Sequence, residues 1–289
     1  MCHWSVTLRG LASFESFVGG GTLTEPGHVG AKMLITVKTY PAPSTRHVET
    51  VCVAGVRLDT PEPEWVRLYP IPFRKMAYNG QFRKYQVVDG DIRHRGTHDP
   101  RPESHSPHLD SIRLGDVVKS NDKWRRRTLM LGGLVGATTT CELIRINRAT
   151  TMDQPAPSLG LIKPEILDIR VMPGRPWTAK QLQKVKAAAE PDLFDTPLNE
   201  LQPAPFQVKY RYRCESSGCR THLQSVLDWE LGAAGLDWQN RYGDRTQNMI
   251  EEQWTKIVGP EKDVHFFVGN QHQYRQAFSV LGVWYPPKA

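Results

Sequence analysis

Apolar and polar positions alternate along this chain in short runs cut by proline and glycine, a pattern that predicts strands rather than long helices. Leu34, Ile35 and Val37 form a first β-rich run that stops at Tyr40-Pro41-Ala42-Pro43, where two prolines fix φ and remove ladder donors. Glu49 to Val56 (ETVCVAGV) is a second run, with Gly55 marking a bulge or a close backbone approach. After the Asp59 to Glu64 turn, Trp65 to Tyr69 (WVRLY) alternates strictly, which predicts an antiparallel pair. Tyr78 to Val88 holds an Asn79-Gly80 turn signal and then another strand-like run bearing Arg83, Lys84 and Tyr85, and Asp110 to Val118 returns to strand. Between them, Asp89 to His108 reads as a proline-containing loop with His94, His98, His105 and His108; solvated loop is the first reading, with backbone contacts through Arg93, Arg95 and Arg101 ahead of a metal cluster.

Gln154-Pro155-Ala156-Pro157 reads as a junction, and a second β segment starts at Ser158. A helix is expected over Trp177 to Glu190, N-capped by Thr178, with Leu182, Val185 and Ala189 as its buried stripe. Val208, Tyr210 and Tyr212 then alternate with Lys209, Arg211 and Arg213, predicting a strand with one cationic face. A second helix is expected over Leu223 to Leu236, and Val264 to Asn270 and Phe278 to Tyr285 read as the last strands.

Composition supports that pattern: 22 prolines and 23 glycines in 289 residues imply many turns, and eight tryptophans imply a folded core. The expected class is mainly β or α+β, with two compact domains over 33–150 and 158–289. Residues 1–32 read as a disordered extension or a misassigned start, with Met33 opening the first patterned strand. No apolar run is long enough to span a bilayer and no secretory signal is evident, so a cytoplasmic protein is expected; the five cysteines, an odd and sparse set, agree with a reducing compartment. Residues 33–130 carry 17 basic against 11 acidic residues, whereas 131–289 carry 18 against 17, so the first domain is the one expected to meet a polyanion.

Candidate chemistry follows from these faces. Trp65, Arg67 and Tyr69 share one side of their strand, where rings can stack bases and a guanidinium can hold phosphate; the competing reading puts the rings in the core and Arg67 on an exposed edge. Arg74, Lys75, Arg83, Lys84 and Tyr85 interleave cations with aromatics nearby, and Trp124, Arg125 and Arg126 belong to the densest basic run. Cys214, Cys219 and His222 stand at C-x4-C-x2-H spacing across a Ser-Ser-Gly turn, three corners of a tetrahedral structural zinc site, with His272 or Cys141 as the fourth ligand; free thiols stiffening a turn are the plainer reading. The rival function is a metal-dependent nuclease or related hydrolase using His222, Asp228, Glu230 and His272. On a regular helix Asp228 and Glu230 diverge, which argues against their sharing one ion. A protein-interaction module is the third possibility.

The phrases TVKTYPAPS, ETVCVAGV, WVRLYPIPFRK, DPRPES, SLGLIKPEILD, the C-x4-C-x2-H knuckle with LDWE, and FFVGN resemble the bacterial dual OB-containing domain proteins over Met33 to Ala289. That resemblance implies two OB-like β-barrels and a nucleic-acid-binding role in defence against phage or mobile elements. No catalytic residue is carried over from it. A binding module for single-stranded DNA or RNA is therefore the leading expectation.

Overall fold

A computed structural model describes residues 26–44, 48–76, 80–189 and 199–288. The chain is mostly strand, with a few short helices, and its first half closes a five-stranded barrel. Its strands are β1 (Val29–Lys38), β3 (Val48–Arg57), β4 (Glu64–Ile71), β5 (Gln86–His94) and β6 (Ser104–Pro107), preceded or flanked by the short β2 (Ala42–Ser44) and β7 (Arg113–Val117). Around the barrel the order is β1-β3-β4-β6-β5 and back to β1, all antiparallel except β4–β6.

Closure depends on β1 serving two neighbours. Val29 to Leu34 pair with β5, while Met33 to Lys38 pair with β3, and the register shifts between Ile35 and Val37. Gly55 lies opposite Ile35, and a Cβ there would overlap the Leu34 carbonyl oxygen, so the close approach at this bulge requires glycine. Met33, Ile35, Val53, Val66, Leu68, Val88 and Ile92 fill the interior.

The second half follows a similar strand order, built as two sheets joined by a bridge. β8 (Leu159–Ile162) and β9 (Pro164–Pro173) are two halves of one strand bent at Lys163, followed by β10 (Phe206–Cys214), β11 (His222–Ser225), β12 (His265–Gln271) and β13 (Tyr274–Trp284). β9-β10-β11 form one sheet and β8-β12-β13 another, and a parallel bridge from Val226 to Val280 joins them. Numbered within each half, both sets run 1-2-3-5-4 with a bent first strand returning to the fourth and a parallel contact between third and fifth. That is the Greek-key order of an OB-type barrel.

Helices fill the gaps. α1 (Arg125–Leu131) and α2 (Thr140–Ala149) connect the halves, α3 (Ala179–Ala189) precedes β10, and α4 (Trp229–Tyr242) and α5 (Thr246–Lys256) separate β11 from β12. α5 plugs the second barrel with Ile250 and Trp254, whose carbonyl accepts from the Tyr210 hydroxyl at 3.1 Å. The two halves also share a core: Leu34, Val37 and Val56 pack with Leu159, Leu161, Phe267 and Trp284.

Several expectations need correction. The first strand starts at Val29, four residues before Met33, because Val29 to Lys32 already pair with β5; residues 1–25 lie outside the described residues, as does Asn79 of the expected turn. Lys84 and Tyr85 sit in a turn before β5, which itself runs on to His94 through part of the expected histidine loop. α2 was hidden by its Gly and Thr surroundings, although Thr139 caps it by accepting from the Glu142 N–H at 3.1 Å. Leu182 of α3 is exposed, leaving Val185 as its buried anchor. His222 to Ser225 form a strand, so the helix begins only after Asp228, its N-cap.

Candidate nucleic-acid interface and metal centre

A cleft of about 1020 Å³ separates the two barrels. Equivalent elements of the two halves line it. From the first barrel come the connection after strand one (Tyr40, Pro41), strand three (Arg67, Tyr69) and the loop between strands four and five (Arg95, His98, Arg101). From the second come the long connection after strand one (Arg175, Lys184), strand two (Phe206, Lys209) and the turn between strands four and five (His272). In OB barrels these are the strand 2–3 face and the 1–2 and 4–5 loops, the surfaces that take oligonucleotides and oligosaccharides.

Its electrostatics are one-sided. Six cations line the cleft (Arg67, Arg95, Arg101, Arg175, Lys184 and Lys209) against two carboxylates, Asp99 and Asp228. Both carboxylates are already engaged. Asp99 accepts two hydrogen bonds from Arg101, at 2.7 and 2.6 Å, and Asp228 accepts from Lys84 at 2.8 Å. Burial would raise the Asp99 carboxyl, but the Arg101 hydrogen bonds and charge outweigh it and hold the group down at about 2. Burial likewise raises the Asp228 carboxyl and disfavours charge on Lys84; the Asp228 and Glu230 carboxylates outweigh it at Lys84, which is held above the usual lysine value. Among the described residues, no carboxylate lies within ion-pair distance of Arg175, Lys184 or Lys209. Burial lowers the His272 imidazole, keeping it neutral near pH 7.

The predicted contact residues scatter. Arg67 is only 4% exposed, and rather than lining an open sheet face it spans the barrel interface, donating to the Ser158 carbonyl and hydroxyl at 3.1 and 3.0 Å and to the Cys52 sulfur at 2.9 Å. Trp65 meets Phe267 edge-on with centroids 6.2 Å apart, so neither competing reading of this face holds in full: the tryptophan is packed, and the arginine is buried with it. Tyr69 does border the cleft, with the Arg95 guanidinium 5.3 Å from its ring centroid. Arg74 donates to the Asn199 carbonyl, and Lys75 and Arg83 are exposed. The Lys84 side chain is 9% exposed, Tyr85 is buried, and Trp124 packs against Trp284 and Tyr285 at 4.9 Å. Arg125 and Arg126 are exposed in the first turn of α1 and do not line the cleft, and Arg125 pairs with Asp122 at 3.9 Å. Arg175 and Lys184 were not singled out from the sequence, and Lys209 was read only as part of a cationic strand face, because only the strand order gathers the three at one cleft.

The cysteine knuckle is assembled. Cys214 ends β10, Gly218 turns the chain at φ +76°, Cys219 follows, and His222 opens β11. Cys141, in the first turn of α2, supplies the fourth position, and the four ligand atoms lie within 4.8 Å of one another. The Nε2 atom of His222 is 3.4 Å from Cys141 Sγ, 3.6 Å from Cys214 Sγ and 3.4 Å from Cys219 Sγ, and the Cys214 and Cys219 sulfurs are 3.6 Å apart. Metal–sulfur and metal–nitrogen bonds of about 2.3 and 2.0 Å at tetrahedral angles give sulfur–sulfur and sulfur–nitrogen separations of about 3.8 and 3.5 Å. These four residues are close enough to bind a metal ion. Burial keeps His222 neutral and, with hydrogen bonds to Cys214 and Cys219, pushes the Cys141 thiol up to about 12, a proton that a metal would displace. His272 is not the fourth ligand; it lies in the cleft.

The four residues of the hydrolase reading are not brought together. His222 belongs to the knuckle, and Asp228, accepting from the Glu230 N–H at 3.1 Å, caps α4. The expected divergence of Asp228 and Glu230 does not occur, because a cap residue leaves the helical path: Lys84 Nζ is 2.8 Å from one carboxylate and 3.4 Å from the other.

Residues 136–289 match the family model described as Domain of unknown function (DUF8757). The chain belongs to that family. Residues 29–132 match a second model, Domain of unknown function (DUF8758), so the DUF8757 match contains the knuckle and the cationic wall of the cleft, while the DUF8758 match contains the first barrel. No curated protein matches the chain. Among the described residues no helix is long and apolar enough to cross a membrane.

Proposed function

We propose that this protein binds single-stranded nucleic acid in the cleft between its barrels. The observation that carries the reading is the pairing of two OB-type ligand surfaces across one cleft, with Arg175, Lys184 and Lys209 on one wall meeting no carboxylate among the described residues. An extended strand offers phosphates to those cations, and Tyr69, with the partly packed Tyr40 and Phe206, borders the cleft with rings that can meet unstacked bases. A duplex presents no unstacked bases to such rings, so single strands of DNA or RNA are the favoured ligands. The Cys141, Cys214, Cys219 and His222 set holds zinc as a closed structural site, since all four positions are taken by protein ligands and none remains for water or substrate.

Labelled single-stranded DNA, RNA and duplex DNA, titrated with the protein over a salt series while probe integrity is followed, test this. Binding to a single strand that falls steeply with salt, with intact probe, supports the reading. Cleaved probe would replace it with the hydrolase, and no binding to any probe would overturn it in favour of a protein-interaction module.

A further inference from the structure

The cleft opens onto a second row of cations. β10 has an inward row of Val208, Tyr210, Tyr212 and Cys214, all buried, and an outward row of Gln207, Lys209, Arg211 and Arg213. Gln207 and Lys209 line the cleft; Arg211 and Arg213 carry the row away from it, with side chains 44% and 50% exposed. Same-face residues of a strand stand about 6.8 Å apart, so the row is a regular ladder of positive charge. Its far end reaches the metal knuckle, where Arg213 Nε donates to the Arg220 carbonyl at 3.4 Å.

Neighbouring acids do not cancel the row. On β9, Asp168 lies opposite Arg211 and Glu165 opposite Arg213, at 3.8 Å in each case, while Asp168 is bonded more closely, at 2.9 Å, by Arg170. Exposed pairs at such distances contribute little and exchange readily for a phosphate. On β11, Leu223 stands opposite Arg211 and is 48% exposed, an apolar platform beside the cationic row. The row, its exposed leucine and Arg220 together make a track that is continuous with one wall of the cleft and ends where the knuckle fixes the chain.

We infer that a bound single strand leaves the cleft along the outward face of β10, its backbone held by Lys209, Arg211 and Arg213 and its exit set by the metal knuckle. This rests on the cleft reading above. It makes the ligand a strand longer than the cleft can enclose and assigns the knuckle a place at the end of the binding surface.

The test uses the full chain with labelled single strands of about 6 and about 20 nucleotides, lengths that bracket the site sizes of OB barrels. The variant Arg211→Gln/Arg213→Gln is compared with Lys184→Glu/Lys209→Glu, each checked for native circular dichroism and unchanged zinc content. The track predicts that the arginine variant binds the short strand within about twofold of the parent, but binds the long strand about tenfold more weakly, with a salt slope lower by about 1.4. The lysine variant weakens both lengths. If the arginine variant binds both lengths like the parent while the lysine variant weakens both, the track is wrong and the cleft stands. If the parent binds neither strand, the cleft reading falls and the track with it.

Discussion

The guanidinium of Arg67 donates to the carbonyl and hydroxyl of Ser158, 91 positions away, and so ties the first barrel to the second. The Ser158 hydroxyl donates onward to Glu103 at 2.6 Å, which completes a buried relay of cation, hydroxyl and carboxylate. Truncating Arg67 leaves the Ser158 carbonyl short of a donor and takes the buried cation out of the relay, while Glu103 keeps the Ser158 N–H and hydroxyl. Arg67→Ala is expected to cost about 3 kcal/mol of unfolding free energy in a urea titration. A loss under 1 kcal/mol would show that the relay does not hold the barrels together.

The knuckle makes a prediction about metal content. Protein purified without chelator should carry about one equivalent of zinc, and Cys141→Ala should lower zinc affinity about tenfold or more. Elemental analysis and a competition titration read this directly. Equal zinc retention by His222→Ala and the parent would remove His222 from the ligand set.

Asp99 ties stability to acid pH. Its carboxyl titrates near 2 in the fold, below the value of about 3.9 in an unfolded chain. Between these values the unfolded chain binds more protons, so the stabilisation is complete above about pH 4 and is lost as pH falls through about 2. Asp99→Asn should therefore lie about 2 kcal/mol below the parent at pH 7, with the gap closing towards pH 2. Parallel stability curves for the two proteins down to pH 2 would contradict the assignment.

Gly55 is a steric test of barrel closure. An alanine there must displace backbone, because the added Cβ meets the Leu34 carbonyl. Gly55→Ala should destabilise by about 2 kcal/mol or more, read as a lowered melting temperature. An unchanged melting temperature would mean that the bulge between Ile35 and Val37 relaxes freely.

What could be read from the residues, and what could not, divides along physical lines. Alternation located β10, because a strand with one buried face writes that face into every second residue, while β1, buried on both faces from Met33 to Lys38, was located by its apolar run and the prolines that end it, and β3 and β4 by runs broken at turns. Alternation names two faces without saying what covers each, so the Trp65, Arg67 and Tyr69 face read as open although the second barrel lies against it. The knuckle was legible from Cys214, Cys219 and His222, which a single turn brings together. Cys141 could be offered only as one of two options, since it comes from a helix 73 positions before Cys214. The cleft was invisible for the same reason: its lysines and arginines come from separate strands, loops and a helix that only the strand order collects.

The most direct test of the central claim compares where charge matters. Lys184→Glu/Lys209→Glu reverses two cations of the cleft, and Arg125→Glu/Arg126→Glu reverses two exposed cations in the first turn of α1, within the densest basic run of the sequence. Fluorescence anisotropy with a single-stranded probe at fixed salt should show affinity falling by about 30-fold or more for the cleft variant and by no more than about twofold for the α1 variant. The opposite ranking, or equal losses, would contradict binding between the barrels.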